Sequence, residues 1–120
     1  MLDSVIVIDH FNGVCAASQY LQRHHDDCAI SVITRAEVMA GFDSPEEVGT
    51  AARLLNRFPT LGIDEAVADL AAGLRRAGRW KLPDAFQAAI AHHHSLQLAT
   101  RNTKDFSPRE HAFVIVPYTL

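Results

Sequence analysis

The chain has 120 residues, 48% of them hydrophobic and 21% charged, which suits a folded globular protein with room for one core. No apolar run approaches the roughly eighteen residues of a membrane helix, and the acid at position 3 with no basic segment before it speaks against a secretory leader. A cytoplasmic protein without a membrane partner is therefore expected. Fourteen Asp and Glu against eleven Lys and Arg give a net charge of −3, so any contact with nucleic acid must rest on a local basic patch rather than on overall charge.

In chain order, residues 5–8 (VIVI) form a β-branched run that reads as a first strand, bracketed by Asp3 and Asp9. Cys15 and Cys28 are isolated, with no CxxC or Cys/His ligand spacing, and read as reduced thiols. Residues 29–33 (AISVI) predict a second strand, followed by Thr34-Arg35-Ala36-Glu37, which has the form of a capping box opening a helix. Ser44-Pro45-Glu46-Glu47 supplies a cap, a proline at the first helical position and an early acid, predicting a helix to about residue 57. A strand at 60–63 leads to Asp64, which caps a helix over 65–79 with Val67, Leu70, Leu74 and Ala77 at helical spacing. LPDAFQAAIAHHH at 82–94 is apolar on two faces over 85–91 and predicts a deeply packed helix, followed by strands at 96–100 and 113–116. With no repeat, low-complexity tract or linker, residues 1–120 read as a single domain. Strands alternating with helices predict a three-layer α/β/α fold around a mainly parallel sheet.

In such sheets the functional cleft lies beyond the carboxyl ends of the strands, and acids stand at several of those ends. Asp3 and Asp9 flank the first run, Glu37 follows strand 29–33, Asp84 opens the buried helix, and Asp105 lies in the loop after strand 96–100. Brought to one edge, these carboxylates would repel one another unless a cation lay between them. A hard divalent ion takes oxygen ligands, so the implied chemistry is metal-assisted phosphodiester hydrolysis. Each acid also has a plain structural role open to it: Glu37 in a capping box, Asp84 as an N-cap, Asp9 and Asp105 as turn residues. Their joint placement carries the functional reading. Arg35, Arg101 and Lys104 flank the acids in sequence and are the candidate RNA contacts.

Other chemistries lack a pattern. His92, His93 and His94 project about 100° apart on a helix and cannot all face one ion, and the chain has no HExxH, GxSxG or glycine-rich phosphate loop.

Three segments, LDSVIVIDHFNG at 2–13, ISVITRAEVMAG at 30–41 and LPDAFQAAIAHHHSLQLATRNTKDF at 82–106, together resemble the PIN-domain family, and within it the VapC-type toxins. LGIDEAVADLAAGLRR adds a less specific likeness. The resemblance implies Asp3, Glu37 and Asp84 as the three acids of a Mg²⁺ (or Mn²⁺) site. It places Asn102 at a fourth position that is often acidic, with Asp105 close by, and lets Thr100 offer a hydroxyl. It also implies an endoribonuclease acting on structured or single-stranded RNA, tRNA and ribosomal RNA among the candidates, a small cognate antitoxin that occludes the cleft, and a homodimer. At the N-terminus the two readings part. Pattern alone ends a strand at Asp9, whereas the resemblance ends a clipped strand at Asp3 and makes the following residues helical. The 34-residue step from Asp3 to Glu37 suits the family better than the 28-residue step from Asp9, leaving Asp9 as a second-rank acid. Two alternatives compete: a catalytically silent PIN-like scaffold that binds a partner, and a receiver-type phosphoacceptor domain using Asp64 and Lys104.

Overall fold

The computed structural model describes residues 1–78 and 80–120. Among these residues five parallel strand positions form the centre. Strands β1 (Ile30–Ser31), β2 (Thr60–Leu61), β3 (Leu98–Ala99) and β4 (Val114–Ile115) pair β1 with β2 and β3 with β4. Leu2 joins the two pairs by bridging Ile30 on one side and Ala99 on the other. The order across the sheet is therefore β2, β1, Leu2, β3, β4. Backbone bonds from Leu2 N to Ala29 O at 2.9 Å and from Asp3 N to Ala99 O at 2.9 Å fix the N-terminal segment in the middle of the ladder.

Among the described residues six helices surround this sheet: α1 (Ser4–Phe11), α2 (Cys15–His24), α3 (Val32–Ala40), α4 (Pro45–Leu55), α5 (Glu65–Arg76) and α6 (Leu82–His93). Because successive strand residues point to opposite faces, Leu98 packs into one apolar cluster with α5 and α6, and Ala99 into the other. That second cluster joins Leu2 and Ile30 to Ile6, Leu21, Val38 and Leu55 from α1 to α4. The three-layer α/β/α arrangement follows from these two cores.

Residues 5–8 are a helix, not the strand that their pattern predicts. Asp3 sits at the N-cap in an extended conformation, its carboxylate accepting from Ser4 N, and Gly13 at φ +82° turns the chain after the helix. Val and Ile lose only a few tenths of a kcal/mol each as helix residues, whereas burying a side chain such as Ile6 or Val7, both 0% exposed, gains about 1.5–3 kcal/mol. Burial decides the conformation.

Elsewhere the predicted elements keep their places with shifted ends: the strand predicted at 29–33 is reduced to Ile30–Ser31, and Val32 and Ile33 open α3. Ser44 and Glu47 bond reciprocally, backbone to hydroxyl at 3.1 Å and hydroxyl to carboxylate at 2.9 Å. Asp64 accepts from Val67 N at 2.9 Å. The predicted helix over 65–79 ends at Arg76, and Arg79 lies outside the described residues. Its inward stripe runs through Val67, Ala71 and Leu74, leaving Leu70 exposed. Among the described residues no helix is long and apolar enough to cross a membrane.

Candidate active site

Asp3 follows directly on Leu2, so the central strand delivers its carboxylate to the carboxyl edge of the sheet, where it is only 7% exposed. Three donors fix it there. Ser4 N and Gln87 Nε2 donate to Oδ1 at 3.0 and 3.1 Å, and the Thr100 hydroxyl donates to Oδ2 at 2.7 Å. Behind Asp3 lies a closed polar network. Gln87 Nε2 also donates to Thr34 Oγ1 at 2.8 Å, the Thr34 hydroxyl donates to the Leu2 carbonyl at 2.9 Å, and Gln87 Oε1 accepts from the Ser31 hydroxyl. A carboxylate held by donors on both oxygens is set in one orientation, the usual way a site group is preorganised.

Glu37 and Asp84 join Asp3 around an opening of about 360 Å³, with Ser4, Val5 and residues 101–104 completing its wall. Neither acid is a cap. Ser31, not Thr34, caps α3 by accepting from Thr34 N at 3.0 Å, which leaves Glu37 in the second turn, free of any capping box. Lys81 occupies the N-cap position of α6, and Asp84 lies in its first turn. Burial pushes the Asp84 carboxyl up to about 6, with the charges of Asp105, Asp3 and Glu37 adding to the effect and Lys81 opposing it. Glu37 is raised as well, by burial of its carboxyl and by Asp3, although much of its side chain is open to solvent; a hydrogen bond from the Ser4 side chain acts the other way. The acids thus act on one another. Among the described residues no three acidic, histidine or cysteine side chains are already closed around an ion-sized space; Asp3, Glu37 and Asp84 face one opening without converging on one point. The donor set is all oxygen, which suits a hard divalent cation such as Mg²⁺ or Mn²⁺ better than zinc, whose sites are usually built on His and Cys.

The remaining candidates divide. Thr100 is fully buried and serves Asp3, and its Oγ1 also accepts from Asn102 N at 3.0 Å. Asn102 lines the opening and donates through Nδ2 to Asp105 at 2.9 Å. Asp105 stands behind it, outside the lining, and acts on Asp84 through charge. Lys104 lines the opening, whereas Arg35 does not and donates to Asn56 Oδ1 at 3.0 Å instead. Asp9 is also absent from the lining. Its carboxylate takes two bonds from Arg101, both 2.8 Å, and one from the Tyr118 hydroxyl at 2.8 Å. The hydrogen bond from Arg101 holds Asp9 below the usual carboxylate range, with burial opposing. Asp3, and not Asp9, lines the opening. Asp64, which a phosphoacceptor would need beside Lys104, is an exposed helix cap outside the opening. His92, His93 and His94 are exposed at the far end of α6.

Gln87, Thr34 and Ser31 escaped the sequence reading. The signal was present in Gln87: a lone amide inside the apolar run AFQAAIA must find partners once buried.

The PIN domain family model matches residues 1–109. Ribonuclease VapC10 from Mycobacterium tuberculosis is 34% identical over 113 residues, covering 88% of this chain and 84% of that protein. A toxin-antitoxin complex from Klebsiella pneumoniae superposes with a TM-score of 0.89 at 37% identity, over 99% of this chain and 98% of that one. FitAcB from Neisseria gonorrhoeae gives a TM-score of 0.78 at 25% identity, over 97% and 96% of the two chains. The chain belongs to the PIN domain family, and its likeness within that family is to VapC.

Proposed function

We propose that this chain is a Mg²⁺-dependent endoribonuclease (Mn²⁺ serving as well), the toxin component of a VapBC-like pair in the cytoplasm. The observation that carries the reading is the set of three carboxylates, Asp3, Glu37 and Asp84, delivered to one opening by the central strand, α3 and α6. Asp3, Glu37 and Asp84 would hold the ion. A divalent cation bound there polarises a phosphoryl oxygen, lowers the pKa of an attacking water and stabilises the leaving oxygen. The chain's own part is to orient Asp3 through Thr100 and Gln87, to hold Glu37 and Asp84 deprotonated once the cation offsets their repulsion, and to present Lys104 to the RNA backbone. The named relatives support a small antitoxin partner and RNA as substrate, and a homodimer belongs to the same reading.

Two experiments test it. Adding Mn²⁺ or Mg²⁺ to metal-free protein at roughly ten times the Kd should raise the melting temperature by about 5 °C or more, since the ion binds only the folded site. Cleavage of a mixed RNA substrate should appear with the same concentration dependence. No shift together with no cation-dependent cleavage would sink the metal reading and leave the silent scaffold. The RNA contact has its own test. Lys104→Ala should weaken RNA binding and flatten its decline with salt by about one phosphate contact. An unchanged salt slope removes Lys104 from the interface.

A further inference from the structure

Asp9 is a buried acid that the proposed chemistry leaves unused, and Arg101 is a cation in the wall of an acid-lined opening. They are joined side-on: Arg101 Nε donates to Asp9 Oδ2 and Nη2 to Oδ1, both at 2.8 Å, while the Tyr118 hydroxyl holds Oδ2 from another direction at 2.8 Å. Asp9 comes from the last turn of α1 and Arg101 from the loop after β3, so the pair spans 92 positions of sequence. A guanidinium is protonated at every working pH and prefers a planar, two-point grip on a carboxylate. Arg101 lines the same opening as Asp3, Glu37 and Asp84, so once untethered it would have three other carboxylates in reach.

We infer that Asp9 is a positioning residue that keeps Arg101 in the wall of the opening and off Asp3, Glu37 and Asp84, so that the guanidinium does not compete with the divalent cation. The inference rests on the metal reading above. The pairing geometry supports it in two ways. The carboxylate is fixed from two sides and is only 5% exposed, so it cannot follow Arg101 into the opening. The grip also consumes one N–H of Nε and one of Nη2, leaving three of the five guanidinium donors on the outer edge of a side chain that is 32% exposed. Asp9 thereby turns a would-be competitor into a wall donor.

The test is calorimetric titration of the metal-free protein with Mn²⁺, with no RNA present, so that it reads binding rather than turnover. Asp9→Asn should weaken Mn²⁺ binding about five- to tenfold, because the freed guanidinium occupies the acids. Arg101→Ala should bind Mn²⁺ at least as well as wild type, and Asp9→Asn combined with Arg101→Ala should return to within about twofold of wild type. Should Asp9→Asn fold poorly, Arg101→Lys serves instead: it keeps the charge but loses the two-point grip, and should weaken binding in the same direction. Wild-type affinity in both Asp9→Asn and Arg101→Lys overturns the inference. So does a weakening that persists in the double variant, because Asp9 would then act through general structure and not through Arg101. A wild-type protein that takes up no Mn²⁺ defeats the metal reading itself, and this inference with it.

Discussion

Asp84→Asn should abolish cation-dependent RNA cleavage, by at least about a hundredfold, while leaving the metal-free protein as stable as wild type or more so. The two halves of that result come from different physics. A Mg²⁺ ligand at this position needs its negative charge, for which an amide is a poor substitute. The metal-free fold is burdened by the same charge, since burial and the neighbouring Asp105, Asp3 and Glu37 push the Asp84 carboxyl up to about 6. Asn has the same shape without the repulsion. A role as helix cap would predict a tolerated substitution on both counts, but Lys81 holds the cap position. Melting in EDTA paired with cleavage in Mg²⁺ separates the cases, and a folded variant that cuts at the wild-type rate would remove Asp84 from the chemistry.

The same shift gives a pH dependence with a definite sign. Because the folded-state value lies above the unfolded one, the native protein binds more protons through Asp84 than the unfolded chain does between about pH 4 and 6. Its contribution to stability is fully present below the unfolded pKa and is lost as pH rises through about 6. Glu37, raised as well, adds to the same trend. Metal-free protein should therefore lose melting temperature between pH 4.5 and 7, Asp84→Asn should flatten that slope, and cation affinity should rise over the same interval as the proton leaves.

How much of this was legible in the residues depends on which force set each feature. After residue 28 the helices α4 and α5 start where their caps put them, because Ser44 and Asp64 act locally and their partners lie within one turn, whereas α3 begins at Val32, inside the strand predicted at 29–33. Residues 4–11 defeat periodicity because a short run of Val and Ile has no period to read: it is apolar as a buried strand and as a helix embedded on several sides. Only the position of Leu2 between β1 and β3, a tertiary fact, decides that the ladder ends before Ser4. Of the acids of the opening, Glu37 was marked by its place after a strand and Asp84 by its place at the start of a buried helix, whereas Asp3 was chosen over Asp9 only through the family resemblance, and Thr34-Arg35-Ala36-Glu37 offered a false local partner. The Ser31 hydroxyl takes the capping role and frees Glu37 for the opening. Asp9 was ambiguous for a different reason. Its partner Arg101 is 92 positions away, and no local rule connects them.

Asp3→Asn should also abolish cleavage, but unlike Asp84→Asn it should destabilise the metal-free fold, by about 1–3 kcal/mol. Asp3 is 7% exposed and receives only donors: Ser4 N and Gln87 Nε2 on Oδ1, and the Thr100 hydroxyl on Oδ2. An asparagine can satisfy one side only. With its oxygen toward Ser4 and Gln87, its NH₂ meets the Thr100 hydroxyl, which already accepts from Asn102 N. The hydroxyl proton then loses its acceptor inside a fully buried site. With the amide flipped, the NH₂ faces two donors and the conflict is worse. Removing one negative charge from the acid cluster offsets part of this loss, but the released repulsion acts across a partly hydrated opening, whereas the unpaired donor is buried. The buried term wins. A melt of Asp3→Asn in EDTA should thus fall below wild type by several degrees, and Asp3→Asn made in a Thr100→Val background should cost less than in wild type, because no hydroxyl proton is left there to strand. Equal stability of Asp3→Asn and wild type, or an undiminished loss in the Thr100→Val background, would mean that Asp3 is not held by the network that Gln87 and Thr100 build around it.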